Sequence, residues 1–329
     1  MLRGHKPLFG IALIACLSLL LPACHGQQSV TVLKMAHGLD TNHPVHKAMV
    51  HMAQRLEELS AGTMRIDLYP SAQLGGEREL MELLQIGSLA LTKVSTSPLE
   101  SFVPQYRIFS LPYVFRDHAH FWRVLDGELG RELLERGEAV RLRGLGFYDA
   151  GSRSFYTTKA PIDTPDDLRG KKIRVQNSIT TVAMIRALGG AATPIPWGEL
   201  YTALQQGVVD GAENNLPSYY LSRQYEAAPY LSLNEHTFVP DVLLVSLPVW
   251  KKLTSQQQQW LQQAADESVV HQKILWRQAE EDALRALLEA GVTITEPDKA
   301  AFRQVVAEMH LGYQGTPVGE FLKRIEAVP

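Results

Sequence analysis

Cysteine is nearly absent from this sequence. The 329 residues contain two, Cys16 and Cys24, both near the N-terminus. The remainder has no thiol, which excludes a disulfide framework, a cysteine metal site and a cysteine nucleophile. An excess of charge of one sign is lacking too. Lysine and arginine total 32 against 35 acids, for a net charge of −3. No basic run is interleaved with aromatics, so the electrostatic footprint of a nucleic-acid binder is missing. Catalytic signatures are missing as well: there is no His-Glu-x-x-His, no Gly-x-Ser-x-Gly and no P-loop. Gly144-Leu145-Gly146 lacks the third glycine of a dinucleotide fingerprint. Carboxylate pairs such as Asp166-Asp167 and Glu280-Glu281 read as solvated helix faces. His43, His46 and His51 are spaced by three and five, not by the four of a zinc helix. No metal, no cofactor and no enzymatic activity are called for.

What is present begins with an export leader. Arg3 and Lys6 precede an apolar run from Leu8 to Leu21, too short for a relaxed membrane span and flanked like a secretory signal. Leu21-Pro22-Ala23-Cys24 resembles a bacterial lipobox, although Pro22 is unusual there. Residues 1–24 are therefore expected to be a leader, with Cys24 lipidated; ordinary cleavage nearby is the alternative. Two acyl chains are what stable anchoring takes. The expected location is the periplasm, with membrane contact only through that anchor.

The body, with 45% hydrophobic residues overall, has material for two domains. Thr31 to Ala36 reads as a strand, Pro44 to Leu59 as a helix with Met49, Met52, Ala53 and Leu56 on one face, and Met64 to Tyr69 as a strand. Glu77 to Ile86 reads as a helix closed by Gly87, and Leu89 to Val94 as a third strand. This β-α-β-α-β order predicts a mostly parallel sheet flanked by helices. Leu142 to Tyr148 and Arg153 to Thr157 read as strands divided by Gly151, where the chain is expected to cross into a second domain. Trp197 to Gln206 reads as a helix, Val208 to Asn215 as a strand entering a polar loop, and Thr237 to Ser246 as one strand returning to the first domain. Ser255 to Ala290 has a helical pattern without Gly or Pro and is long enough to bridge both domains. Lys299 to Tyr313 reads as a final helix. The fold class is α/β, two-lobed and hinged. Lobe I is expected over 30–151 and lobe II over 152–238. Residues 239–278 return to lobe I, and 279–329 pack on lobe II. Such lobes close on ligands by hinge motion.

The most informative stretch is Leu168-Arg169-Gly170-Lys171-Lys172-Ile173-Arg174-Val175. Thr164-Pro165-Asp166-Asp167 before it has the form of a capping box, and Gly170 ends the turn. Lys172 to Val175 alternates, so Arg174 points away from the face that buries Ile173 and Val175. An arginine held on a strand in a cleft is a two-pronged receptor for a planar carboxylate. Arg153 offers a second guanidinium at a strand start. Asn177, Asn214 and Asn215 offer amides, and Trp197 an aromatic at a helix start able to cover a sugar ring. His37 and His43 sit at a strand end and a helix start, where α/β ligands bind.

At these residues the chain resembles the DctP-like substrate-binding proteins of TRAP (tripartite ATP-independent periplasmic) transporters. Leu68-Tyr69-Pro70-Ser71-Ala72-Gln73-Leu74-Gly75 and Phe109-Ser110-Leu111-Pro112-Tyr113 resemble two family segments. Leu168 to Val175 is similar to the strand bearing the family's carboxylate-binding arginine. Glu199 to Asn214 is similar to its helix-strand signature. The resemblance implies a two-lobed receptor that captures a small organic acid and hands it to the small and large integral membrane subunits. It implies Arg174 as carboxylate clamp, Arg153 as a supporting arginine, Asn214 as a ligand-facing amide and Trp197 as a pocket aromatic. Ala36 to His46 and Leu91 to Ser95 look most like hexuronate binders, for which His37, Lys93, Glu77 and Asn214 would supply hydroxyl partners. A C4-dicarboxylate or sialic-acid binder of the same family stays open. So do a uronate-processing enzyme and a sensor module.

Overall fold

The structure is a computed structural model and describes Met1 and residues 30–329. Apart from Met1, the expected leader, Cys24 included, lies outside the described residues. Strand β1 (Thr31–Ala36) leads into helix α1 (Pro44–Leu59), strand β2 (Met64–Tyr69), helix α2 (Glu77–Ile86) and strand β3 (Leu91–Ser95). β1 pairs parallel with both β2 and β3, as a β-α-β-α-β order requires. Local sequence explains these elements. His43 caps α1 by accepting from the Val45 N–H, Pro44 sits in its first turn, and Val45, Ala48, Met49, Met52 and Leu56 form its buried stripe. α2 ends on Gly87, whose φ of 79° is left-handed.

The strands sort into two sheets. β4 (Leu142–Tyr148) and β10 (Asp241–Ser246) complete the first, in the order β2-β1-β3-β10-β4. The second contains β5 (Ser152–Thr157), β6 (Lys172–Val175), β7 (Ala191–Pro194), β8 (Gly211–Asn214), β9 (Tyr230–Phe238) and β11 (Thr293–Thr295). Its order is β11-β9-β5-β8-β6-β7. Each sheet is covered on both faces by an apolar cluster. The chain passes between lobes at Asp149–Gly151 and at Val239-Pro240. The helix Ser255–Glu289 makes a third link. It gives Leu261, Ala264, Ala265 and Trp276 to the core of the first lobe and Leu287 to that of the second.

Several readings change. Thr237 to Ser246 is not one strand: it comprises the end of β9 and all of β10, in different sheets. Pro240 lies at the break, where it has no N–H for a ladder. The expected helix at Trp197 starts as a 3-10 turn, Trp197–Glu199, before the α-helix Leu200–Gln205. The C-terminal segment does not pack wholly on the second lobe. A helix not read from the sequence, Pro317–Glu326, buries Val318, Phe321 and Ile325 in the first lobe beside Phe109, Leu129 and Leu133. Its start is the Thr316 cap and Pro317, but only the tertiary contacts decide where it docks.

Glu280 is not on a solvated face either. It lies at the first crossing, against Gly151, whose φ is 57° and which has no space for a Cβ beside the Glu280 carboxylate. Asp149 is close by and holds His118 at 2.7 Å. Burial, followed by the Asp149 charge, pushes Glu280 up to about 7; His118 opposes this and Glu235 adds to it. A carboxyl raised above its unfolded value stabilises the fold fully below the unfolded pKa, and that contribution is lost as pH rises through the folded one. Glu280→Gln is therefore expected to raise the melting temperature by several degrees at pH 8 and by little at pH 5. Thermal unfolding at both pH values checks this; equal shifts would show that the carboxyl is not strained.

Candidate functional site

The site is built where β6, β5 and β8 of the second lobe meet the ends of α2, β3 and β10 of the first. Thr164, Asp167 and Gly170 set the entry to β6. Asp167 Oδ2 accepts from the Thr164 N–H at 2.8 Å, and Gly170 takes a φ of 74°. Ile173 and Val175 then join the cluster of Phe155, Leu168 and Met184. Arg174 between them projects to the opposite face by strand alternation. It is 3% exposed. Its Nε donates to the Ile195 carbonyl at 2.8 Å, and its buried Nη1 has no hydrogen-bond partner. Burial pulls its pKa down, only partly offset by Tyr156, Glu213 and Glu77.

Three cations are buried among the described residues: Lys93, Arg153 and Arg174. Two of them are already matched. Arg153 is gripped by Glu213: its Nε donates to Oε2, and its Nη2 donates to Oε1 at 2.8 Å and to the Glu213 carbonyl at 2.6 Å. Its Nη1 donates to Asn214 Oδ1 at 2.6 Å. Burial, the largest single influence, would raise Glu213, but the charge and hydrogen bonds of Arg153 together with those of His236 outweigh it and hold the carboxyl down at about 2. His236 Nε2 lies 3.4 Å from the same carboxylate. Lys93 sits between Asp241 Oδ1 at 3.0 Å and Glu77 Oε1 at 3.3 Å. Burial opposes the Lys93 ammonium, yet the two carboxylates keep its pKa above the ordinary lysine value. Asp241 is pushed up to about 6 by burial, against the pull of Lys93. Glu77 also accepts from the Ser95 N–H at 2.9 Å. Arg174 alone of the three has no carboxylate partner.

Side chains also link the lobes across the cleft. Ser95 Oγ donates to Gln176 Oε1 at 3.3 Å, and His43 Nε2 lies 3.3 Å from Ser218 Oγ. Glu100 of the first lobe accepts from Ser178 Oγ at 2.9 Å and from the Thr180 N–H at 3.0 Å. Trp197 is half-buried and packs against the apolar clusters of both lobes.

The structure thus brings Arg174, Arg153, Asn214, Lys93 and Glu77 into one charged neighbourhood, with Trp197 at the junction of the lobes. Besides Arg153 and Lys93, His37 and Asn215 also have fewer free groups than a ligand role suggests. His37 uses both ring nitrogens: Nδ1 accepts from Leu39 N–H at 3.1 Å, and Nε2 meets His46 Nδ1 at 3.0 Å. Burial, then Lys93, draws its pKa down to about 3, so it is neutral. Asn215 caps the helix Leu216–Leu221 through the Ser218 N–H, and Asn177 is exposed. Glu213, Asp241, Ser95, Gln176 and Glu100 were not singled out from the sequence. Glu213 carried one signal, an acid inside a short strand, but its partner emerges only from the pairing of β8 with β5. Among the described residues, no three His, Cys, Asp or Glu are grouped to hold a metal. No helix there is long and apolar enough to cross a membrane.

The family described as DctP, bacterial extracellular solute-binding protein, family 7, matches residues 35–315. A solved TRAP periplasmic solute-binding protein from Xanthobacter autotrophicus Py2, with bound β-D-galacturonate, is similar at 38% identity and a TM-score of 0.88. The match covers 90% of this chain and 100% of that one. One from Roseobacter denitrificans, with bound β-D-glucuronate, is 32% identical with a TM-score of 0.88, over 91% of this chain and 100% of that one. The C4-dicarboxylate-binding periplasmic protein DctP of Rhodobacter capsulatus is 29% identical over 85% of each chain. These are receptors for transport rather than enzymes. The two-sheet, two-lobed fold agrees with them, and this chain belongs to the DctP family of extracellular solute-binding proteins, which deliver small organic acids to TRAP membrane subunits.

Proposed function

We propose that this protein captures a hexuronate, D-galacturonate or D-glucuronate, by clamping its carboxylate on Arg174. The observation that carries the reading is the charge count of the cleft. Of three buried cations, two are neutralised by Glu213, Glu77 and Asp241, and one guanidinium is left for an anion. One unmatched cation suits one carboxylate. A C4-dicarboxylate needs a second, and neither Lys93 nor Arg153 is free to supply it. A uronate also brings hydroxyls, which donate to acceptors such as Glu77. Trp197 covers the apolar side of the ring. The bound uronates of the Xanthobacter and Roseobacter proteins support the same choice. Ligand groups touching both lobes favour the closed form, and the shift is limited by the difference in affinity between the two states.

Thermal unfolding of the mature protein tests this. Galacturonate or glucuronate at about 100 times its dissociation constant should stabilise the fold by about 2.7 kcal/mol, a rise of several degrees. Galactose and glucose, which lack the carboxylate, should give no shift at the same concentration. A shift with succinate and none with either uronate would overturn the hexuronate assignment while leaving the family intact.

A further inference from the structure

The outward face of the long helix Ser255–Glu289 carries an apolar stripe. Val270, Ile274, Leu284 and Leu288 are 63%, 62%, 37% and 59% exposed. At about 100° per residue, these four together with Arg277 and Glu281 fall within about 40° of one line along the helix. The buried residues Leu261, Ala264, Ser268, Gln272 and Ala283 lie on the other side. The stripe is about 27 Å long at 1.5 Å per residue.

Its order is symmetric about position 279. Val270 and Leu288 lie nine residues either side of it, Ile274 and Leu284 five, and Arg277 and Glu281 two. A second copy of the same helix, laid antiparallel on a twofold axis through this point, therefore sets apolar against apolar at both ends. In the middle it sets Arg277 level with Glu281 of the partner subunit, and the symmetry makes that pair twice. Both charges are available: neither makes an ion pair within the described residues. Their flanking neighbours are engaged, Lys273 with Asp126 at 2.9 Å and Arg285 with Asp282 at 3.6 Å. Arginine four residues before glutamate is also the weaker order for a pair within one helix. Other exposed apolar residues, such as Ile86, Ile179 and Val208, are scattered over separate parts of the fold and have no such pattern.

We propose that this protein self-associates through an antiparallel pairing of its long helices, centred on position 279. A single helix pair is a small interface, so the dimer is of the weak, concentration-dependent kind.

Sedimentation equilibrium of the purified mature protein, from about 1 μM to about 1 mM, reads the result directly. The average mass should climb from one chain toward two. Arg277→Glu alone, or Glu281→Arg alone, puts like charges level across the axis and should weaken dimerisation at least about tenfold, since each affects two pairs. The combined Arg277→Glu and Glu281→Arg protein recreates both pairs with reversed signs and should recover the wild-type constant. Ile274→Asp should leave a monomer whose thermal unfolding matches the wild type. A one-chain mass at every concentration would overturn the proposal, and so would a double variant as weak as the single ones.

Discussion

Arg174→Ala should lower uronate affinity by about 100-fold or more while leaving the unliganded protein at least as stable as the wild type. The two halves of this result have one cause. Without ligand, Arg174 is a buried guanidinium with one hydrogen bond and an orphaned Nη1, and burial opposes its charge. Such a group is a stability cost. With ligand bound, the same desolvated charge meets a carboxylate, and the fork can make two parallel bonds. Deleting it removes the cost from the free state and the benefit from the bound state, the usual trade between stability and function at a binding site. Calorimetric titration with galacturonate or glucuronate, beside thermal unfolding of the free variant, separates the two. Arg174→Lys should also weaken binding, because a point charge cannot replace the fork. Unchanged affinity in the alanine variant would remove Arg174 from the clamp. A large loss of stability in the free variant would mark the residue as structural instead.

The second large effect is expected at Glu213 and has the opposite character. Glu213→Gln should destabilise the unliganded fold by about 3–5 kcal/mol, because Arg153 would be left as an uncompensated buried charge. Glu213 takes two of the Arg153 donors, and against the opposing effect of burial its carboxyl is held at about 2 by that partner together with His236. A depressed carboxyl contributes stability above its unfolded pKa and loses it as pH falls toward the folded one. The difference between wild type and variant should therefore be full at pH 7 and shrink below about pH 4. Replacing both members, Arg153→Met with Glu213→Leu, should restore most of the lost stability, since a buried pair can be exchanged for apolar packing at little cost. Denaturant unfolding at pH 7 and pH 4 measures all of this. A loss under 1 kcal/mol for Glu213→Gln would mean that water or Asn214 satisfies Arg153 instead.

Much of the fold is written locally. The bounds of α1 follow from His43, Pro44 and the spacing of Met49, Met52 and Leu56. α2 stops at Gly87 because a left-handed residue is needed there. The strand carrying Arg174 follows from Asp167, Gly170 and two-residue alternation. These signals act over a few residues and survive without the rest of the chain. They also set Arg174 opposite the buried face of its strand.

Charge pairing is another matter. Lys93, Arg153 and Arg174 look alike in sequence, as cations within short strands. They differ because Asp241 lies 148 positions from Lys93 and Glu213 lies 60 from Arg153, and only sheet pairing brings each acid to its base. β10 runs antiparallel to β3 and puts Asp241 opposite Ser95, two residues from Lys93. β8 runs antiparallel to β5 and puts Glu213 opposite Phe155, two residues from Arg153. No comparable acid reaches Arg174. The break at Pro240, the docking of Pro317–Glu326 on the first lobe and the burial of Glu280 at the crossing are tertiary outcomes of the same kind. The sequence by itself determined most of the elements, the two lobes and the strand that presents an arginine. Only the tertiary structure decided which cation stays unpaired, because desolvation and Coulomb energy depend on distances in space and not along the chain.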